Sequence, residues 1–183
     1  MDLLNMLLGQ SGKLAEGAGV TENEAGSLAK MGIPVILEAL NRNTETEEGK
    51  KSLDSALKDH ENDFMNISSF FNRDSEDSDR MMDHIFSENR NKVEETIADN
   101  AGVSKDKAKK MLMVIAPIAL AYLASKKSKQ NEKVDINDLI GKEKKEIESK
   151  SSGSIFDAAK SFLDKDGDGK VVDDIGGILG KFL

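Results

Sequence analysis

The sequence predicts an all-α protein, and three observations carry that expectation. Aromatic residues make up only 4% of the chain, with no Trp and one Tyr, so the residues that strands favour are scarce. Proline occurs only at Pro34 and Pro117, which leaves long stretches free to be helical. Apolar residues recur at three- and four-residue spacing in segment after segment, the period of a helix with one buried face.

The elements follow in order. Leu3, Leu4, Leu7 and Leu8 fit a short helix, and Gly9-Gln10-Ser11-Gly12 reads as a flexible break after it. Thr21-Glu22-Asn23-Glu24 is a capping box, in which the Thr hydroxyl meets an orphan N–H and the Glu reaches back. The helix it starts runs to Pro34, which cannot donate to the preceding turn and is expected to kink or restart it. Val35, Ile36, Ala39 and Leu40 then resume the helical spacing. Residues 50–65, with Leu53, Ala56, Leu57 and Phe64 among charges, have the pattern of a surface amphipathic helix.

Ser75-Glu76-Asp77-Ser78-Asp79 forms an acidic lead into Met81, Met82, Ile85, Phe86, Val93 and Ile97, and acids in a first turn suit the positive end of a helix dipole. Met111 to Ala124 is the most apolar stretch, but it spans 14 residues and contains Pro117, whereas a membrane-spanning helix needs about 20. It reads as a buried core segment.

An internal repeat ties two of these segments together. Ala18-Gly19-Val20-Thr21 returns 83 residues later as Ala101-Gly102-Val103-Ser104. In the same ungapped frame Ala25 matches Ala108, Pro34 matches Pro117, Leu37 matches Leu120 and Leu40 matches Leu123. Met31 pairs in character with Val114, and Val35 with Ile118. Ser104 takes the cap position of Thr21, and Ile118, Ala121, Tyr122 and Leu123 follow the second proline. Each unit is read as helix, kink, helix.

Composition shifts after Ala124. Ser125-Lys126-Lys127-Ser128-Lys129-Gln130 opens a polar, lysine-rich stretch that closes at Ser151-Ser152-Gly153. Val134, Ile136, Leu139 and Ile140 suit one short helix inside it, ended by Gly141, and the remainder reads as a mobile linker. The organisation expected is thus a helical domain over residues 1–125, a lysine-rich linker over 126–153, and a C-terminal unit over 154–183.

The formal net charge of −8 and the lack of a basic stripe with interleaved aromatics argue against nucleic acid as a partner. Cysteine is absent, so disulfides, thiolate nucleophiles and zinc–thiolate sites are excluded. Met1-Asp2-Leu3-Leu4-Asn5 lacks the basic start of a secretion signal, and a cytoplasmic location is the expectation.

One motif carries chemistry. Ca²⁺ takes six to eight oxygen ligands, and an EF-hand loop supplies them from side chains at positions 1, 3 and 5, a carbonyl at 7 and an acid at 12, with Gly at 6. Counted from Asp164, these positions hold Asp164, Asp166 and Asp168, then Gly169, then the Lys170 carbonyl. Ile155 to Leu163, capped by Ser154, suits the incoming helix. Position 12 is Ile175, which cannot ligate; Asp173 at position 10 is the residue expected to close the cage instead, with Asp174 capping or solvating the exit. Asp-Gly repeats also make plain tight turns. Residues 164–174, however, hold five aspartates against two lysines, and at an effective dielectric near 20 like charges ~5 Å apart cost about 3 kcal/mol per pair before screening. That repulsion favours a bound cation. The following Ile175 to Leu183 has apolar residues at helical spacing, and its glycines suit close packing on Ile155–Leu163 as an EF-hand-like hairpin.

Other candidates have plainer readings. His60 and His84 are not paired with a nucleophile, and His84 is expected to be a partly buried, hydrogen-bonded imidazole. Met81, Met82 and Met111 to Met113 lie on apolar faces and read as core filling rather than an adaptable groove. No Gly-rich phosphate loop, nucleophile elbow or HExxH pattern occurs.

Asp83-His84-Ile85-Phe86, Ala101-Gly102-Val103, the apolar run centred on Pro117, and Asp166-Gly167-Asp168-Gly169-Lys170-Val171-Val172-Asp173-Asp174-Ile175 together resemble a bacterial group, domain-of-unknown-function family 937. The likeness covers about residues 1–125 and the tail. It implies a helical fold, offers no agreed activity, and supplies no catalytic residue to carry over.

The functional expectation is a non-enzymatic structural or interaction protein with a calcium-binding loop and an unidentified protein partner. The alternative is a peripheral envelope or membrane-surface protein, suggested by apolar Leu3 to Leu8 and Ile175 to Leu183 beside the lysine-rich stretch.

Overall fold

The computed structural model describes residues 2–60, 70, 75–129, 134–150 and 155–163, and among these the chain is all-α, with no strand. The order is α1 (Leu3–Leu8), α2 (Ser11–Ala18), α3 (Glu22–Asn43), α4 (Glu47–Asp59), α5 (Ser75–Phe86), a 3₁₀ turn (Ser87–Asn89), α6 (Arg90–Ala101), α7 (Lys105–Lys129), α8 (Ile136–Glu148) and α9 (Ile155–Leu163).

The break expected at Gly9 to Gly12 is a tight corner, with Gln10 N–H donating to the Leu7 carbonyl at 2.9 Å. α2 starts immediately at Ser11 because Leu14, Ala15 and Ala18 make one buried stripe. α2 ends at Gly19, whose φ of 66° is the left-handed conformation that a Cβ disfavours. The Thr21 hydroxyl then accepts from Glu24 N–H at 3.2 Å while Glu24 Oε2 accepts from Thr21 N–H at 2.7 Å, so the capping box is formed.

α3 runs on through Pro34, and α7 through Pro117, so neither helix restarts at its proline. An interior proline costs ~3 kcal/mol. Every residue from Met31 to Leu40 is buried, and a buried Leu, Ile or Val contributes about 1.5–3 kcal/mol, so packing on both sides of Pro34 outweighs the local loss.

The second copy repeats the first in detail. α6 ends at Gly102, again with φ 66°. Val20 N–H reaches the Ala15 carbonyl at 3.0 Å, and Val103 N–H reaches Ala98 at 3.0 Å. Ser104 Oγ accepts from Lys107 N–H at 3.3 Å, as Thr21 does from Glu24. The repeat is therefore helix, left-handed glycine, capped long helix, and includes α2 and α6 as well as α3 and α7.

Elsewhere the boundaries differ from the periodicity. α4 starts at Glu47 because the Thr46 hydroxyl caps it, accepting from Gly49 N–H at 3.1 Å. Gly49 sits so close to the end of α3 that a Cβ would lie 1.8 Å from the Asn43 carbonyl oxygen. The apolar run from Met81 to Ile97 is two helices, divided at Ser87, whose φ is 49°. α8 passes Gly141 and ends at Glu148: a helical Gly costs ~1 kcal/mol, while burial of Glu143 and Ile147 holds the next two turns to the core. The four-residue stripe Leu139–Glu143–Ile147 explains why the helix outlasts its glycine.

α3 and α7 form the centre. α3 packs against each of the other eight helices, and α7 against α2, α3, α4, α5, α6 and α8. α7 is long and apolar enough to cross a membrane, but 78% of its most apolar window is buried inside this fold, as expected of a core segment. Residue 125 marks a change in composition, yet Ile136, Leu139, Ile140 and Ile147 of α8 and Ile155, Phe156, Phe162 and Leu163 of α9 belong to the same apolar cluster as α1–α7. The described part of the lysine-rich stretch is accordingly largely core-packed helix: α7 itself extends to Lys129, and Lys126 of α7 and Lys144 of α8 lie over the rings of Tyr122 and Phe156.

Candidate functional site

Asp164, Asp166, Asp168, Lys170 and Asp173 lie outside the described residues, as does the apolar segment after them. The helix that leads to them is described. α9 ends at Leu163, one residue before Asp164, and buries Ile155, Phe156, Ala158, Ala159, Phe162 and Leu163. It lies on α3, with further contacts to α6 and α8.

The end of α9 has an unanticipated partner. A helix leaves its last four carbonyls without intrahelical donors. Arg42, in the last turn of α3, donates from Nη1 to the Leu163 carbonyl at 2.9 Å and from Nη2 to the Lys160 carbonyl at 3.4 Å. These are the last and first of those four groups. The guanidinium also suits the negative end of the α9 dipole. Arg42 stands 121 residues from Leu163, a separation that helix periodicity does not bridge.

A buried carboxylate cluster joins α1, α7 and α8. Glu143 is 2% exposed. Its Oε1 accepts from Leu3 N–H at 2.5 Å, its Oε2 from the Tyr122 hydroxyl at 3.1 Å, and Lys126 Nζ stands 3.4 Å from Oε2. Burial, followed by the negative charge of Glu143, pushes the Tyr122 phenol far above its ordinary range, so it remains a protonated donor. Lys126 Nζ also lies 5.1 Å from the Tyr122 ring centroid. Next to this cluster the fully buried Asp2 accepts from Asn5 N–H at 2.9 Å, Asn5 Nδ2 at 2.7 Å and Lys150 Nζ at 2.8 Å. Burial raises the Asp2 pKa, but Lys150 and Asn5 outweigh it and bring the carboxyl to about 2. Glu38, buried in α3, accepts from Lys144 Nζ at 2.5 Å. These groups are saturated with partners, which makes them fasteners between helices rather than acids or bases open to a substrate.

A third polar cluster lines a shallow depression of about 290 Å³ between α5, α6 and α7. Arg90 bridges Asp79, Asp83 and the buried Glu94, and Lys109 adds a second cation to Asp79 at 3.1 Å. Arg90 and Lys109 hold the Asp79 carboxyl below its ordinary value.

Sequence reasoning passed over Glu38, Glu143 and Glu94, although each carried a signal. Glu38 interrupts an apolar decad, Glu143 lies midway on the Leu139–Ile147 stripe, and Glu94 adjoins Val93 three residues before Ile97. A single acid on an apolar helix face marks a buried ion pair. His84 corrects an expectation. Its side chain is exposed, and it is its backbone carbonyl that accepts, from Asn43 Nδ2 at 3.1 Å; the Asp83–His84 edge of α5 faces solvent while Met82, Ile85 and Phe86 face the core. Met82 and Met111 are fully buried and fill the core, as their apolar faces imply. Among the described residues no group of three or more His, Asp or Glu side chains is placed to hold a metal ion.

Comparison with known proteins finds one family. The model of a family described as "Bacterial protein of unknown function (DUF937)" matches residues 2–126, which run from the buried Asp2 almost to the end of α7. No curated protein and no solved structure matches the chain.

Proposed function

Given that the chain belongs to this bacterial family of unknown function, we propose that it is a non-enzymatic structural or interaction protein whose C-terminal loop binds Ca²⁺. Asp164, Asp166 and Asp168 supply side-chain oxygens, Lys170 its carbonyl, and Asp173 closes the cage in place of the missing acid at position 12. The observation that carries this reading is the aspartate at every second position followed by Gly169, directly after a helix that ends at Leu163. An EF-hand loop needs an incoming helix at that point.

The absence of an acid, base and nucleophile in sequence register supports a binding role over catalysis, and a cytoplasmic location with an unidentified protein partner accompanies it. The membrane-surface alternative loses one of its two supports, because Leu3 and Leu7 of α1 are 0% exposed and already spent on the core.

Calorimetric titration with Ca²⁺ tests the proposal. Wild-type chain gives binding heat with an end-point of one ion per chain, and the double variant Asp164→Ala/Asp168→Ala gives none. Absence of heat from wild type up to roughly millimolar Ca²⁺, the weak end of the EF-hand range, removes the calcium part.

A further inference from the structure

α9 stands apart from the plan of the other helices. Among the described helices, α1 packs on α2 and α3 as α5 packs on α6 and α7. α2 reaches across to α7 as α6 does to α3, and α4 and α8 each touch both long helices. α1 to α8 thus pair off between the two copies of the repeat, and α9 is left over. It lies on α3, with further contacts to α6 and α8, as an addition to the two-copy body.

The way α9 is held is that of a ligand in a groove. Ile155, Phe156, Ala158, Ala159, Phe162 and Leu163 are each at most 4% exposed, while Asp157 and Lys160 face solvent. The buried positions recur at i, i+1, i+3, i+4, i+7 and i+8, the anchor pattern of an amphipathic helix laid into an apolar channel. Helices shorter than about 12–15 residues are marginal in water, so the nine-residue α9 is helical because it is docked.

The body also supplies polar groups that read this helix at both ends. Near its start Lys144 Nζ, fixed by the buried Glu38, lies 5.2 Å from the centroid of the Phe156 ring. At its close the Arg42 fork takes the carbonyls of Lys160 and Leu163. The chain has no cysteine, so no disulfide ties α9 to the body.

Independently of the calcium reading, we infer that the groove on α3, α6 and α8 is a docking site for an amphipathic helix of a partner protein, and that α9 closes it in cis. The partner helix carries an aromatic residue in its first turn, to lie under Lys144. It carries bulky apolar residues in its last turn, and open carbonyls at its C-terminal end to meet Arg42. Recruitment requires α9 to leave. An undocked α9 loses its helix and exposes Phe156 and Phe162, while α1 to α8 keep their contacts with one another, so the opening is local rather than global. A tethered occupant competes at an effective concentration of roughly millimolar, so α9 sets a threshold that only a tightly binding helix passes.

The test uses the full chain and a fluorescently labelled peptide of residues 155–163 with an amide end. Ala159→Pro breaks α9 within the chain and leaves α3, α6 and α8 unaltered, because an interior proline removes a helical hydrogen bond. This variant is expected to bind the peptide at least tenfold more tightly than wild type. Adding Arg42→Ala to it is expected to weaken that binding roughly tenfold, the worth of hydrogen bonds to a charged group. Thermal melts confirm that each variant is folded before titration. Equal binding by wild type and Ala159→Pro, or none by either, overturns the inference. Binding unchanged by Arg42→Ala places the peptide outside this groove and overturns it equally. Hydrogen exchange on wild type needs no variant: residues 155–163 are expected to exchange at least tenfold faster than residues 31–40 of α3. Exchange of both segments at one global rate means that α9 never leaves alone, and overturns the cis closure. A wild-type chain that sediments as a dimer and trades α9 between labelled copies overturns it in favour of a second copy as the occupant.

Discussion

Glu24 and Lys107 occupy the same position in the two copies of the repeat, 83 residues apart, and are joined to each other by a salt bridge of 2.8 Å. Contact between equivalent residues recurs eight positions on, where a Cβ on Gly32 would lie 3.5 Å from Ile115, its own counterpart. α3 and α7 consequently run side by side in register and in one direction. Two copies of a unit so arranged bury the same faces against each other, which accounts for the matched apolar positions around both prolines.

The pair yields a charge-swap prediction. Glu24 caps α3 as well as meeting Lys107, whereas the second copy has Ser104 but no acid at the third position. Glu24→Lys is expected to lower the urea midpoint by removing the reach-back to Thr21 N–H and setting two lysines together. The double variant Glu24→Lys/Lys107→Glu restores the bridge and moves the capping box to Ser104. It should recover most of the lost midpoint, and a double variant no better than the single one refutes the pairing.

Gly19 and Gly102 give a second prediction. Both have φ 66°, and neither has an atom within 4 Å of an added Cβ, so substitution meets conformational strain alone. Gly19→Ala and Gly102→Ala should each cost about 1–2 kcal/mol in unfolding free energy, and the corresponding Asn variants less, because Asn tolerates the left-handed region. Gly12→Ala is the control: its site is equally open, it lies in a helix, and it should be neutral or stabilising by under ~1 kcal/mol. Equal losses at all three positions contradict the assignment.

Asp2 sets a pH dependence. Its folded-state pKa of about 2 lies below the ordinary value of 3.8, so the unfolded chain takes up the proton first as pH falls. The stability it contributes is complete above about pH 4 and is lost as pH drops through about 2. Screening at the half-exposed Lys150 end reduces the contribution to roughly 1–2 kcal/mol. Asp2→Asn should be less stable than wild type at pH 6 and should approach it at pH 2. Parallel stability curves across that window would show that Asp2 is not held by Lys150.

Part of this protein was determined by its sequence read in one dimension. The all-α class, the repeat, the capping box at Thr21 and the burial of Met111 to Ala124 depend on neighbours within a few residues, or on self-similarity, and both are written along the chain. The aspartate spacing from Asp164 is equally local, which is why the sequence alone could nominate a calcium loop. Continuity through Pro34 and Pro117, by contrast, was decided by packing: the local penalty of ~3 kcal/mol is visible in sequence, but the burial that exceeds it comes from other helices. Only tertiary structure could bring Glu143 to Leu3 N–H across 140 residues, or Arg42 to the end of α9 across 121, because a side-chain hydrogen bond spans about 3 Å whatever the chain length between its partners.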